Sequence, residues 1–247
     1  MGQLPDEQRE VVEILAFGEP LGVSLLAQLT NAMAVEEAEA GGLIEVSVGE
    51  RRLQARLAHP LYGEVQRARI GQLRARRLRS RIASALADTG CRRSDDTLRR
   101  ATLALDSDLP SDPELLTTAA RRAAALVDLT LAERLARAAI TAGGGFESRL
   151  TLATVLVGLT RTADAELAAL TEHARTDAEK VRATVLRVIS LAWMWSRPAE
   201  AEAVLNAEAV VVQGDAQREL IALRAFFDAY FERPRCAAES RAPDIVR

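Results

Sequence analysis

The sequence predicts a mainly helical chain in which a small β-hairpin follows three short helices, and a run of paired helices follows the hairpin. Three observations carry this. Between Leu43 and Arg69, LIEVSVGERRLQARLAHPLYGEVQRAR reads as two alternating strands joined by a Gly-Glu-Arg turn, with His-Pro-Leu opening the next helix. From about Asp96 the chain is rich in alanine and leucine, broken at short intervals, and no strand pattern competes. Within that half, LAERLARAA from Leu131, DAELAALTEHA from Asp164 and EAEAVLNAEA from Glu200 resemble one another. At 247 residues, 49% hydrophobic and 27% charged, the chain can bury a substantial core and divides most simply into two domains.

The first helix is placed from Pro5 onward. Proline is tolerated at the first helical position, and Asp6 and Glu7 set negative charge on the positive end of the helix dipole. Val11, Ile14 and Leu15 form its apolar stripe, and Gly18-Glu19-Pro20 ends it. Leu21 to Leu29 gives a second helix, and Met33 to Ala40 a third that stops at Gly41-Gly42. In the hairpin, Ile44, Val46 and Val48 alternate with Glu45 and Ser47, while Leu53, Ala55 and Leu57 alternate with Gln54 and Arg56. One face is expected to be apolar and the other wet. Helix, helix, helix, strand, turn, strand is the order of a winged helix, so residues 1–90 are read as a winged-helix-like domain. Its trailing segment, from Pro60 to Ala87, is Arg-rich and helical, with Leu61, Val65, Ala68, Ile70, Leu73, Leu78, Ile82 and Leu86 at apolar positions.

Thr89 to Asp95 reads as a linker, and residues 96–231 as helical repeats with breaks at Pro110 to Pro113, Ala142 to Gly145, Arg175-Thr176, Arg197-Pro198 and Gln213-Gly214. The Ala-Glu pairs of the three similar segments begin at 132, 165 and 201, intervals of 33 and 36 residues. That is close to the tetratricopeptide period of about 34, so a TPR-like α-solenoid is expected, with small alanines where paired helices cross. The tail, residues 232–247, has two prolines and little periodicity, and is expected to be disordered.

Charge and chemistry narrow the function. A net charge of -3 excludes a globally basic nucleic-acid binder. Cys91 and Cys236 stand far apart without a Cys-x-x-Cys or Cys/His cluster, so neither a disulfide framework nor a metal site is expected, and no cofactor. The N-terminus has no signal-peptide pattern, Asp6 stands where a myristoylation signal wants Ser or Thr, and no apolar run reaches spanning length; a cytoplasmic protein is expected.

The Gly143-Gly144-Gly145 run follows helix and carries no lysine, so it is a turn and not a phosphate loop. No nucleophile elbow, zinc-protease helix or triad set is present, and enzyme activity is not expected. Of the two histidines, His173 is assigned no role. His59 lies at a helix N-terminus, where free N–H groups can hold an anion, although a capping or packed histidine is the first reading of the position. The third helix carries Glu36, Glu37 and Glu39 and no basic residue, which disfavours DNA reading and prefers a protein-facing role. Arg67, Arg69, Arg74, Arg76, Arg77, Arg79 and Arg81 read as a solvated face, then as a contact for an acidic partner or nucleotide, and last as a DNA-backbone contact. Trp193-Met194-Trp195 reads as repeat core ahead of a hydrophobic effector site.

The segment RLAHPLYGEVQRARIGQLRARRLRSRIASAL, with the opening LPDEQREVVEILAFGEPLGVSLLAQL, resembles the middle of large ATP-binding LuxR-family transcriptional regulators, the MalT-like branch of the STAND ATPases. The resemblance runs from about Leu4 to Tyr230; its His-Pro-Leu and Arg-rich helix are its most specific part, and its repeats are generic. In that family a nucleotide-binding domain precedes a winged helix, helical repeats follow, and a LuxR-type helix-turn-helix ends the chain. This sequence departs from the pattern at both ends, with no P-loop upstream and no recognition helix after Arg233. The resemblance implies a truncated or split-off signal-sensing and autoinhibitory segment, whose winged helix packs on an ADP-loaded ATPase domain and whose repeats bind an inducer or regulatory protein. It also implies that His59 contacts the nucleotide phosphate when an ATPase domain is supplied. The alternatives are a free-standing TPR-like scaffold and a winged-helix DNA binder.

Overall fold

The structure is a computed structural model, and it describes residues 4–49, 52–89, 94–159 and 163–231. Glu50 and Arg51 of the hairpin turn, most of the proposed linker, both cysteines and the 232–247 tail lie outside the described residues. The described chain is mainly helical with one small antiparallel sheet, and it separates into two compact units, Met1–Arg122 and Ala123–Arg247.

In the first unit, α1 (Asp6–Gly18) is the central element. Val11, Val12, Ile14 and Leu15 are fully buried, and Pro5 sits one position ahead of the helix with its carbonyl accepting from the Arg9 amide. Where a longer second helix is expected, the structure has a two-residue strand, β1 (Leu21–Gly22), before α2 (Val23–Leu29). Two residues hold no alternation, and tertiary pairing makes the strand: Leu21 is buried opposite Ala55.

The third helix, α3 (Ala32–Ala40), starts on a side-chain cap, Asn31 Oδ1 accepting from the Ala34 amide at 2.7 Å, and buries Ala34, Val35 and Ala38. Strands β2 (Ile44–Val48) and β3 (Leu53–Leu57) pair in the register the alternation predicts, and the sheet order is β1-β3-β2. Their apolar face is covered only at the base. Ile44, Ala55 and Leu57 are buried, whereas the cross-strand pair Val48 and Leu53 at the tip is exposed.

The Arg-rich segment is two helices, α4 (Pro60–Arg69) and α5 (Gln72–Asp88), because Ile70 and Gly71 take extended backbone. A continuous apolar period concealed this break. It also shifts the buried face: Leu61 and Leu73 are exposed, and α4 packs instead through Gly63 and Gln66. Gly63 allows this close approach, since a Cβ there would sit 3.1 Å from Leu57 Cδ1 and 3.0 Å from Arg67 Nη1, and those side-chain ends would have to shift. The next helix, α6 (Ser94–Leu105), begins inside the proposed linker and packs along α5, with Leu103 in the same core as Leu78 and Ile82. A further helix, α7 (Pro113–Ala125), begins beyond a loop whose Asp112 carboxylate accepts from the Glu114 and Leu115 amides.

The second unit holds α8 (Leu129–Thr141), α9 (Phe146–Gly158), α10 (Asp164–His173), α11 (Asp177–Ile189), a π-helical turn (Ser190–Met194), α12 (Pro198–Val211) and α13 (Asp215–Phe231). Each packs on the next in sequence; α9 also meets α11, and α11 meets α13. Start signals are explicit at two of them. Asp128 caps α8 through the Leu131 amide, and Thr176 with Glu179 forms a reciprocal capping box on α11. The break before α8 was not legible, because it turns on Val127 at φ 64°, a conformation in which a β-branched residue is strained.

Ion pairs join helices two apart in sequence. Arg182 of α11 holds Glu147 of α9 at 2.5 and 3.1 Å across 35 residues, and Arg197, the residue just before α12, reaches Asp164 of α10 at 3.1 Å across 33.

The alanines of the similar segments do not share one environment. Ala132 and Ala201 are fully buried, but Ala165 is exposed, and the buried stripe around α10 runs Ala163, Leu167, Leu170. The Ala-Glu alignment is thus out of phase with packing in the middle segment. Ala132→Leu is therefore expected to lower stability by about 1 to 3 kcal/mol through overpacking, and Ala165→Leu to change it by less than about 0.5 kcal/mol. Urea unfolding followed by tryptophan fluorescence reads this, since both tryptophans, Trp193 and Trp195, belong to the second unit. Equal effects would contradict the burial phase.

Candidate functional site

Three features of the first unit bear on function: the outer face of α3, the start of α4, and the arginines of α4 and α5. On α3, the spacing that buries Ala34, Val35 and Ala38 leaves Glu36, Glu37 and Glu39 exposed. Gln8 of α1 donates to Glu37 at 3.2 Å. A helix presented this way repels phosphate.

His59 is the N-cap of α4. Its Nδ1 accepts from the Leu61 amide at 3.2 Å, Pro60 occupies the first helical position, and the Tyr62 ring lies 6.0 Å away. Accepting at Nδ1 selects the tautomer with hydrogen on Nε2, and among the described residues Nε2 has no hydrogen-bond partner. His173 Nδ1 donates only locally, to the Ala169 carbonyl at 2.7 Å.

The arginine run stays largely exposed, as its composition predicts, but most of its members are also tied to groups within the unit. Arg74 grips the buried carboxylate of Glu13 with two bonds of 2.6 and 2.9 Å, and Arg81 joins Glu10 and the Leu29 carbonyl, each at 2.6 Å. Arg76 binds Asp108 and the Ser107 carbonyl, each at 2.6 Å. Arg67 donates to the Ala16 carbonyl at 2.6 Å, and the Arg79 guanidinium lies 4.8 Å from the centre of the Phe17 ring. Five of the seven thus make contacts inside the unit, although Arg67, Arg74 and Arg76 remain exposed; Arg69 and Arg77 are exposed and make no such contact among the described residues.

These partners have a common logic. The last turn of α1 carries no basic residue of its own, yet its carbonyls form the negative end of the helix dipole. Cations from other helices supply the missing charge: Arg67 to Ala16, and Arg99 of α6 to the Gly18 carbonyl. Burial holds the Arg99 guanidinium below its ordinary value, opposed by Asp96 and reinforced by Arg56. Sequence reasoning missed Arg99 and Glu13, because nothing local marks a residue whose partner lies 61 or 81 positions away.

In the second unit, Trp193 and Trp195 are partly buried against the core of Val181, Val188, Leu191 and Leu205. Trp193 meets Phe226, Phe227, Tyr230 and Phe231 at ring distances of 5.3 to 6.2 Å. Among the described residues no helix is long and apolar enough to cross a membrane, and no group of three His, Cys, Asp or Glu is placed to hold a metal. No family model, curated protein or solved structure matches the chain.

Proposed function

We propose that the chain is a signal-sensing and autoinhibitory module of a LuxR-family transcriptional regulator of the MalT-like STAND class, in which the first unit is a winged helix that meets protein and not DNA. The observation that carries this reading is the acidic outer face of α3, the helix a winged helix ordinarily lays in the major groove. The short β1, set between α1 and α2 and paired with β3, supports the winged-helix assignment, as do three helices leading into the hairpin.

For the second unit we propose TPR-like repeats that bind an inducer or regulatory protein. Its support is the pairing of each helix with the next, together with ion pairs that span 33 and 35 residues, close to one repeat period. The same features suit a free-standing repeat scaffold, which is the second reading. In the first reading His59 is the contact to a nucleotide phosphate held by an ATPase domain, through the Nε2–H that its capping role leaves open.

Two results test the proposal. The coding context should contain a P-loop ATPase stretch upstream, in the same or an adjacent frame; a chain flanked by unrelated genes would leave only the scaffold. Calorimetric titration with ATP and ADP should show no saturable binding tighter than about 10 micromolar, roughly -6.8 kcal/mol. Tighter binding would put the nucleotide site in this chain and contradict a role that depends on a separate ATPase domain.

A further inference from the structure

A cavity of about 390 Å³ opens at the C-terminal turn of α1, lined among others by Phe17, Arg67, Ile70, Arg76, Arg79 and Asp106. It lies within the first unit. Its volume falls in the range that small-molecule sites occupy, roughly 300 to 1,000 Å³. Three guanidinium groups face a single carboxylate in its lining, beside an aromatic ring and an isoleucine.

The arginines keep donors for a ligand. A guanidinium carries five N–H bonds. Arg67 directs Nη1 to Ala16, and Arg76 directs Nε and Nη2 to Asp108 and Ser107. Arg79 rests on the Phe17 ring and makes no hydrogen bond among the described residues. The first turn of the 17-residue α5 also lines the cavity, through Gln72 and Ala75; it has no acidic residue and no side-chain cap, so its positive dipole end adds to the field.

We propose that this cavity binds a small organic oxyanion, a phosphate or carboxylate joined to a flat apolar group. Arg79, supported by Arg67 and Arg76, takes the oxyanion, and Phe17 with Ile70 takes the apolar part. This inference stands apart from the regulator reading: it uses neither His59 nor the α3 face, and either can fail alone.

The test is titration of the full chain with phenyl phosphate, benzoate and inorganic phosphate, followed by protein-observed NMR. Phenyl phosphate or benzoate should saturate at or below about 10 mM, and inorganic phosphate should bind about tenfold more weakly. Whichever of the two aryl probes binds tighter identifies the anionic group, and both results agree with the proposal. Arg79→Gln should weaken aryl-probe binding about tenfold, whereas Arg77→Gln, an equal loss of charge outside the cavity, should change it less than about twofold. Phe17→Leu provides a second variant that retains every charge, and it should weaken the aryl probes while leaving inorganic phosphate unchanged. No saturation, equal losses in Arg77→Gln and Arg79→Gln, or inorganic phosphate binding as well as the aryl probes would each overturn the proposal.

Discussion

Replacing Phe227 with alanine should lower the stability of the second unit by about 3 to 5 kcal/mol, the range for deleting a buried aromatic side chain. Phe227 is 3% exposed and shares a core with Val188, Leu191, Leu205 and Leu220, so its removal leaves a cavity that four different elements would have to close. Its ring meets Phe231 at 4.7 Å and Trp193 edge-on at 6.2 Å, and those aromatic contacts go with it. The neighbour supplies the control. Phe226 is 60% exposed and touches the same tryptophan, at 5.6 Å, so Phe226→Ala should lose only about 0.5 to 1.5 kcal/mol. Urea denaturation read by tryptophan fluorescence separates the two, because the emission comes from Trp193 and Trp195 beside the altered site. Equal losses would mean that α13 is not docked through the face described.

Much of the local structure was legible because its causes are local. Alternation placed β2 and β3 to the residue, and proline or glycine marked the breaks before α9, α12 and α13. The misses share a different cause. β1 is two residues made into a strand by Ala55 and Gln54, more than 30 positions away, and Ile70 interrupts a helix without interrupting the apolar period. Val127 turns the chain with neither glycine nor proline, and Ala165 carries the repeated motif on the exposed side of its helix.

The candidate site follows the same division. His59 before proline was readable as a helix start, and the structure makes it the cap. The use of the arginines was not readable. Composition reads Arg67, Arg74, Arg76 and Arg81 as a solvated run, which their exposure agrees with, but it does not reveal their partners, which come from α1, the end of α2 and the loop after α6, 31 to 71 residues distant. The cavity is equally non-local, since Phe17 and Asp106 meet α5 only in the folded unit.

That internal use of charge sets the size of the last expected effect. A winged-helix reader of DNA binds its site at about 10⁻⁸ M or tighter at physiological salt, whereas non-specific association lies near 10⁻⁴ to 10⁻⁶ M. Here the helix that the proposed winged helix would lay in the groove carries Glu36, Glu37 and Glu39, and among the described residues only Arg69 and Arg77 of the Arg67 to Arg81 run lack a contact within the unit. Two phosphate contacts give a log–log salt slope of about -2, so any low-salt complex should weaken about tenfold between 50 and 200 mM salt. The direct measurement is fluorescence anisotropy of labelled duplex DNA with the full chain across that salt range. The protein-facing account predicts a Kd weaker than about 100 micromolar at physiological salt, with no preference among sequences. A complex of about 10⁻⁸ M that prefers one sequence, with a slope of about -6 or steeper, would contradict it.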